Sequence, residues 1–161
     1  MKPFLIAAFF FFALSGIVEA RDTEKENIGK VLTGFHDAAS KADWGTYFNF
    51  LSADAIFLGT DASERWTKPV FKEYATKTDG WTYRLTERHI NLTPDGNSAW
   101  FDELLVNEKY GTSRGTGILI RTDAGWKISQ YNLVFPIPND LAAGITQQIQ
   151  TFEARQKLGQ K

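Results

Sequence analysis

Residues 82–135 carry four long strand-like segments in succession, reading TYRLTERHINLT, SAWFDELLVNEKY, SRGTGILIRT and WKISQYNLVF. Between them stand PDGN (94–97), YGTS (110–113) and TDAG (122–125), all with turn chemistry. The pattern predicts an antiparallel meander. Its strands, about ten residues each against a usual five or six, must twist and curve, and a curved sheet covered by helices encloses a pocket. Ahead of the meander, residues 24–43 place Ile28, Val31, Leu32, Phe35 and Ala39 at helical spacing, with Thr23 and Glu26 as a capping box. A short helix over 44–51 is capped by Asp43, and residues 55–58 form a short buried strand. Residues 59–66 are a polar loop, after which Thr67 caps a helix that carries Pro69 in its first turn and runs to about Lys77. Pro136 and Pro138 end the last strand, and Asn139 caps a closing helix over about 139–156 with the stripe Leu141, Ile145, Ile149, Phe152. Helices followed by an antiparallel sheet predict the α+β class.

The first 20 residues stand apart from this plan. Lys2 is followed by an apolar run over 4–14, by Ser15-Gly16, and by Val18 and Ala20 at the positions a signal peptidase reads. That layout predicts a signal peptide over 1–20, cleavage at about Ala20, and export to a periplasm or the cell exterior as a single domain over 21–161. The run is short for a spanning helix, so no membrane contact is expected after cleavage.

Composition narrows the function. A formal net charge of −1 in 161 residues offers no basic surface for nucleic acid, and the absence of cysteine excludes disulfides and thiolate chemistry. His36 and His89 stand far apart with no acidic partners at ligand spacing, so no metal is expected, and each reads as a solvent-edge or hydrogen-bonded histidine. No phosphate loop, GxSxG elbow or HExxH occurs, and no cofactor is implied. Gly111, Gly115 and Gly117 serve a hairpin turn and close packing. Asn91-Leu92-Thr93 matches a glycosylation sequon.

Strand parity suggests a site. If the 123–125 turn pairs Thr122 with Trp126, then Trp126, Ile128, Gln130, Asn132 and Val134 share a face with Ile120, Ile118, Thr116 and Arg114. The apolar members mark the covered face, which places Arg114, Thr116 and Asn132 as a polar patch at the mouth of an apolar cavity. Trp66 is expected at its rim and Asp102 within reach. The ligand predicted from this patch is amphipathic, apolar body inward and acidic or carbonyl group toward Arg114. Simpler roles stand beside these: a cross-strand ion pair of Arg114 with Glu103 or Glu108, an arginine partner for Asp102, and packing of Trp66 on the third helix. Asp61 reads as a turn cap and Glu64 as a solvated loop charge.

Three passages, FLGTDASERW (57–66), AWFDE (99–103) and RGTGILIRTDAGWKISQYNL (114–133), resemble the SnoaL-like group of the nuclear-transport-factor-2-like superfamily over about residues 26–136. The resemblance implies a curved antiparallel sheet wrapped around three N-terminal helices as a cone with an internal pocket, often a homodimer through the outer face of its sheet. Enzymes of this group commonly carry His or Asp on the last strand, where this chain has Tyr131-Asn132, and an asparagine cannot act as a general base. The leading expectation is therefore an exported domain that binds a small hydrophobic or amphipathic molecule without catalysis, with Tyr131 added to the ligand-binding set. The alternative is a cofactor-independent isomerase, dehydratase or cyclase acting on a hydrophobic ring through Asp102 or Tyr131. A third reading is a partner-binding module with a vestigial pocket.

Overall fold

The computed structural model describes residues 6–159, with side chains placed from residue 20 onward. Helix α1 (Ile6–Ser40) passes unbroken through Thr23, so the capping box expected at Thr23 and Glu26 does not start it. No glycine or proline separates Ile17 from Asn27, and nothing in that stretch stops a helix. The expected apolar stripe holds, with Ile28, Leu32, Phe35 and Ala39 buried. The helix ends in a Schellman arrangement: Asp43 N donates to Ala38 O at 2.9 Å and Ala42 N to Ala39 O at 3.2 Å. Ala42 takes the left-handed position there at φ 52°, where glycine is the usual occupant.

Asp43 then accepts from Thr46 N at 3.1 Å and caps α2 (Trp44–Asn49). Strand β1 (Leu51–Leu58) is longer than expected, and the loop expected over 59–66 ends in a further strand, β2 (Arg65–Thr67), before α3 (Lys68–Ala75). The meander follows as β3 (Arg84–Leu92), β4 (Ser98–Asn107), β5 (Gly111–Thr122) and β6 (Gly125–Val134). The fold is α+β, with a curved six-stranded sheet in the order β2-β1-β6-β5-β4-β3. The sheet is mixed rather than wholly antiparallel, because β1 enters from the helical side and runs parallel to β6.

One face of the sheet is lined by Phe57, Ala99, Phe101, Leu105, Leu119, Trp126, Ile128 and Tyr131, and these close on Leu32, Phe35, Tyr47, Phe48 and Phe71 from the three helices. This is the concave core. Glu24 fastens α1 to the last hairpin, accepting from Trp126 Nε1 at 2.7 Å and pairing with Arg121 at 2.8 Å.

The register of that hairpin differs from expectation. Thr122 pairs with Gly125, not Trp126, so Arg121 faces Trp126 and Leu119 faces Ile128. A shift between Ile118 and Leu119 then brings Ile118 opposite Gln130. The first change turns Ile118 and Ile120 away from the Trp126 face, leaving Ile118 42% exposed. The second, a bulge, reverses the parity of β6, so that Tyr131 points inward and Asn132 outward.

Helix α4 (Asn139–Gly159) forms as expected, but none of its residues is buried, and Leu141, Ile149 and Phe152 are exposed. Among the described residues no helix is long and apolar enough to cross a membrane.

Candidate functional site

The open end of the cone holds a cavity of about 300 Å³. Eight of its lining residues are aromatic. Phe57 and Trp66 come from the β1–β2 pair, Phe71 and Tyr74 from α3, and Trp81 and Tyr83 from the approach to β3. Tyr110 and Phe135 close the opposite side, stacked on each other at 5.0 Å. The first wall is a set of nearly parallel rings. Phe57 lies 3.9 Å from Phe71, Trp66 5.4 Å from Phe71 and 5.0 Å from Tyr74, and Trp81 5.9 Å from Phe71, with planes inclined by 28° or less. Helical spacing on α3 creates part of this wall, since Phe71 and Tyr74 are one turn apart and face β2 together. Burial pushes the Tyr83 phenol up from its ordinary pKa. Among the described residues the cavity has one charged lining residue, Glu64.

Below the aromatic wall lies a buried charge cluster centred on Glu103, whose side chain is fully enclosed. The Tyr131 hydroxyl donates to its Oε1 at 2.9 Å, and His36 Nε2 stands 2.6 Å from the same oxygen. Arg88 Nε donates to Oε2 at 2.7 Å, while Arg88 Nη1 donates to Gly29 O and to Thr33 Oγ1 on α1. Burial alone would raise the Glu103 pKa, but the bonds and charges of His36 and Arg88 outweigh it and hold the carboxyl below its ordinary value. Burial, followed by the neighbouring Glu103 charge, pushes Tyr131 well above the ordinary phenol range. Tyr131 also stacks on Phe57 at 5.6 Å, so the cluster forms the floor of the aromatic wall. A second hollow of about 350 Å³ opens between α1 and β3, where His36, Tyr83 and Arg88 line it.

The residues expected at the site divide. Trp66 lines the cavity, and Tyr131 lies inside the cone. Asp102, Thr116 and Asn132 are paired in one row across the outer face of the sheet, and Arg114 is exposed on the same face. The expected cavity-mouth patch of Arg114, Thr116 and Asn132, with Asp102 nearby, is therefore corrected. The hairpin register turns Arg114 and Thr116 outward, and the bulge does the same to Asn132. Asp102 alternates with the buried Phe101 and Glu103.

Sequence reasoning missed Glu64, Trp81, Tyr83, Tyr110 and Phe135 at the cavity, and the joining of His36, Arg88 and Glu103. One signal was present: Ala99, Phe101, Glu103 and Leu105 alternate on one face, which marks Glu103 as an inward carboxylate needing partners. Among the described residues no group of three or more His, Asp or Glu side chains is placed to hold a metal ion.

The profile of the SnoaL-like domain family matches residues 28–138. No curated protein matches the chain. Among solved structures, an NTF2-like protein of unknown function from Pseudomonas putida is similar, with 14% identity, a TM-score of 0.62, and 74% of this chain and 90% of that one covered. A protein from Streptomyces avermitilis, described as a candidate dehydratase of the NTF2-like family, shares 18% identity at a TM-score of 0.62, over 73% of this chain and 99% of that one. An NTF2-like protein with a cystatin-like fold from Novosphingobium aromaticivorans has 14% identity and a TM-score of 0.61, over 81% and 93% respectively. Identities this low speak to the fold alone.

Proposed function

Because the chain belongs to the SnoaL-like domain family, we propose that it binds a small, flat, largely apolar molecule in the aromatic cavity at the open end of the cone. The observation that carries this reading is the wall of nearly parallel rings made by Phe57, Trp66, Phe71 and Tyr74 around a space of about 300 Å³. Ring stacking plus burial of apolar area favours a planar guest. The acidic or carbonyl group expected to face Arg114 has no counterpart here, since among the described residues no Lys, Arg or His lines the cavity.

Naphthalene tests the reading. It should quench tryptophan emission saturably, and Trp66→Ala should weaken its binding about tenfold, in line with a stacking contribution near 1.5 kcal/mol. Unchanged emission up to the solubility limit of naphthalene would remove the proposal.

A second reading, acid–base catalysis, draws on His36, which stands 2.6 Å from Glu103 beside the hollow between α1 and β3. A carboxylate that orients an imidazole is the arrangement of a proton carrier. It would replace Asp102, which lies on the outer face. His36→Gln, leaving naphthalene binding intact while abolishing turnover of a cyclic alcohol or ketone, would favour this alternative.

Export is part of the same proposal, and an intact mass beginning at Arg21 is its expected outcome. A chain retaining residues 4–14 would replace it with an anchored protein. Homodimer formation through the outer sheet face is proposed as well, on the strength of Trp100 and Ile118, which are 49% and 42% exposed there. Sedimentation equilibrium showing only monomer at tens of micromolar would reject it.

A further inference from the structure

The aromatic cavity is electrostatically one-sided. Among its described lining residues the only formal charge is the Glu64 carboxylate, and every other polar group there is a neutral hydroxyl, indole or backbone group. Aromatic faces present the negative side of a quadrupole, so the rings and the carboxylate act in the same sense on a guest. Among the described residues Glu64 forms no ion pair with Lys, Arg or His.

The loop that carries Glu64 is built to hold it. Gly59 N donates to Glu64 O at 2.9 Å and closes the loop, while Glu64 N donates to Asp61 O at 2.9 Å. Asp61 in turn accepts from Ser63 N at 2.8 Å, and Asp61 N donates to Glu64 Oε2 at 3.1 Å. The carboxylate rests over Gly59, where a β-carbon would collide with it. The absence of a side chain at position 59 thus leaves room for the carboxylate on the cavity side. A cation on an aromatic face already occurs at the rim, where Lys109 Nζ stands 4.8 Å from the centre of the Tyr110 ring.

We propose that the guest of this cavity is a cation: an amine or quaternary ammonium group on an apolar body, seated against Glu64 and the rings of Trp66 and Tyr74. This rests on the reading of the cavity as a binding site and adds the charge of its ligand. The rings supply dispersion and cation–π attraction, and Glu64 supplies the counter-charge in a partly desolvated setting. An anion of the same size meets repulsion from both.

The test uses three probes of nearly equal shape, phenyltrimethylammonium, tert-butylbenzene and benzenesulfonate, titrated into the purified protein by calorimetry. Phenyltrimethylammonium is expected to bind about tenfold or more tighter than tert-butylbenzene, the scale of a desolvated cation–π contact, and benzenesulfonate weakest of all. Glu64→Gln should lower affinity for the ammonium probe to that of the neutral one and leave tert-butylbenzene unchanged. Gly59→Ala, which displaces the carboxylate without removing it, should narrow the same preference. Lys109→Met should keep or widen it. If tert-butylbenzene binds as tightly as the ammonium, or Glu64→Gln leaves the preference intact, the cation assignment is overturned while the cavity reading stands. Tightest binding of the sulfonate also overturns it. Binding of none of the three overturns the cation assignment, and the cavity reading falls with it only if naphthalene also fails to bind.

Discussion

The Tyr131 hydroxyl donates to Glu103 Oε1 across 2.9 Å, and the strand between them, β5, has Gly115 at the point of contact. A β-carbon at position 115 would stand on the Tyr131 hydroxyl and 2.9 Å from Glu103 Oε1. The cluster therefore requires an inward acid, an inward phenol and a missing side chain on three adjacent strands at once.

Gly115→Ala should destabilise the protein by about 1–3 kcal/mol, the usual cost of overpacking a closely filled site. Tyr131→Phe removes the atom that is struck first, so the double variant should lose less than the sum of the two single losses. A double-mutant cycle in urea measures this coupling, and strict additivity would mean that the methyl is absorbed elsewhere.

Acid should act on the protein through Glu103. Its folded pKa lies below the ordinary value, so its contribution to stability is complete above the ordinary carboxylate range and is lost as pH falls through the folded pKa. Removing the carboxylate leaves Arg88 buried without its counter-charge, and Glu103→Gln is expected to cost about 3–5 kcal/mol near neutral pH. The same substitution should flatten the decline of stability in acid. Melting temperatures of both proteins across the acid range check the sign, and parallel curves would exclude Glu103 as the source.

Ala42 occupies the left-handed position of the Schellman arrangement at the end of α1, at φ 52°. Left-handed backbone costs an L-residue about 1–2 kcal/mol, from which glycine is largely exempt. Ala42→Gly should therefore raise stability by about 1 kcal/mol after the entropy of the unfolded glycine is offset. Chemical denaturation resolves a change of this size, and a loss would show that the methyl packs more tightly than the backbone strains.

Side chains of the inner and outer faces should separate in a binding assay. Arg114→Ala and Asn132→Ala, on the outer face, should leave the affinity of the cavity for naphthalene unchanged. Trp81→Ala, in the wall, should reduce it several-fold, as loss of one aromatic contact implies. Losses for Arg114→Ala and Asn132→Ala with none for Trp81→Ala in a fluorescence titration would place the bound probe on the outer face instead.

Much of the fold is legible in the residues themselves. Turn chemistry at 94–97 and 122–125 delimits the strands, and helical spacing from Ile28 to Ala39 marks the stripe that the sheet covers. These are local properties, set by backbone preference and by the repeat of one element, and they survive to the folded chain. The division of the sheet into faces did not follow so simply. A strand has a repeat of two, so one residue of slip exchanges its faces. Here the Thr122–Gly125 pairing turned Arg114 and Thr116 outward, and the bulge in β6 turned Asn132 outward and Tyr131 inward. In β4 both alternating sets, Phe101 with Leu105 and Trp100 with Leu104, contain large apolar residues, so hydrophobicity does not choose between them.

Sequence by itself determined the class of fold, the order of its elements apart from β2, and the helix stripe, because each depends on neighbours a few positions apart. Only the tertiary structure decided which residues meet. The aromatic wall draws on β1, β2, α3 and the approach to β3, and His36, Arg88, Glu103 and Tyr131 converge from four elements on one buried point. That convergence is fixed by register and by the curvature of the sheet, which are cooperative outcomes of the whole packing and leave no local mark on the chain.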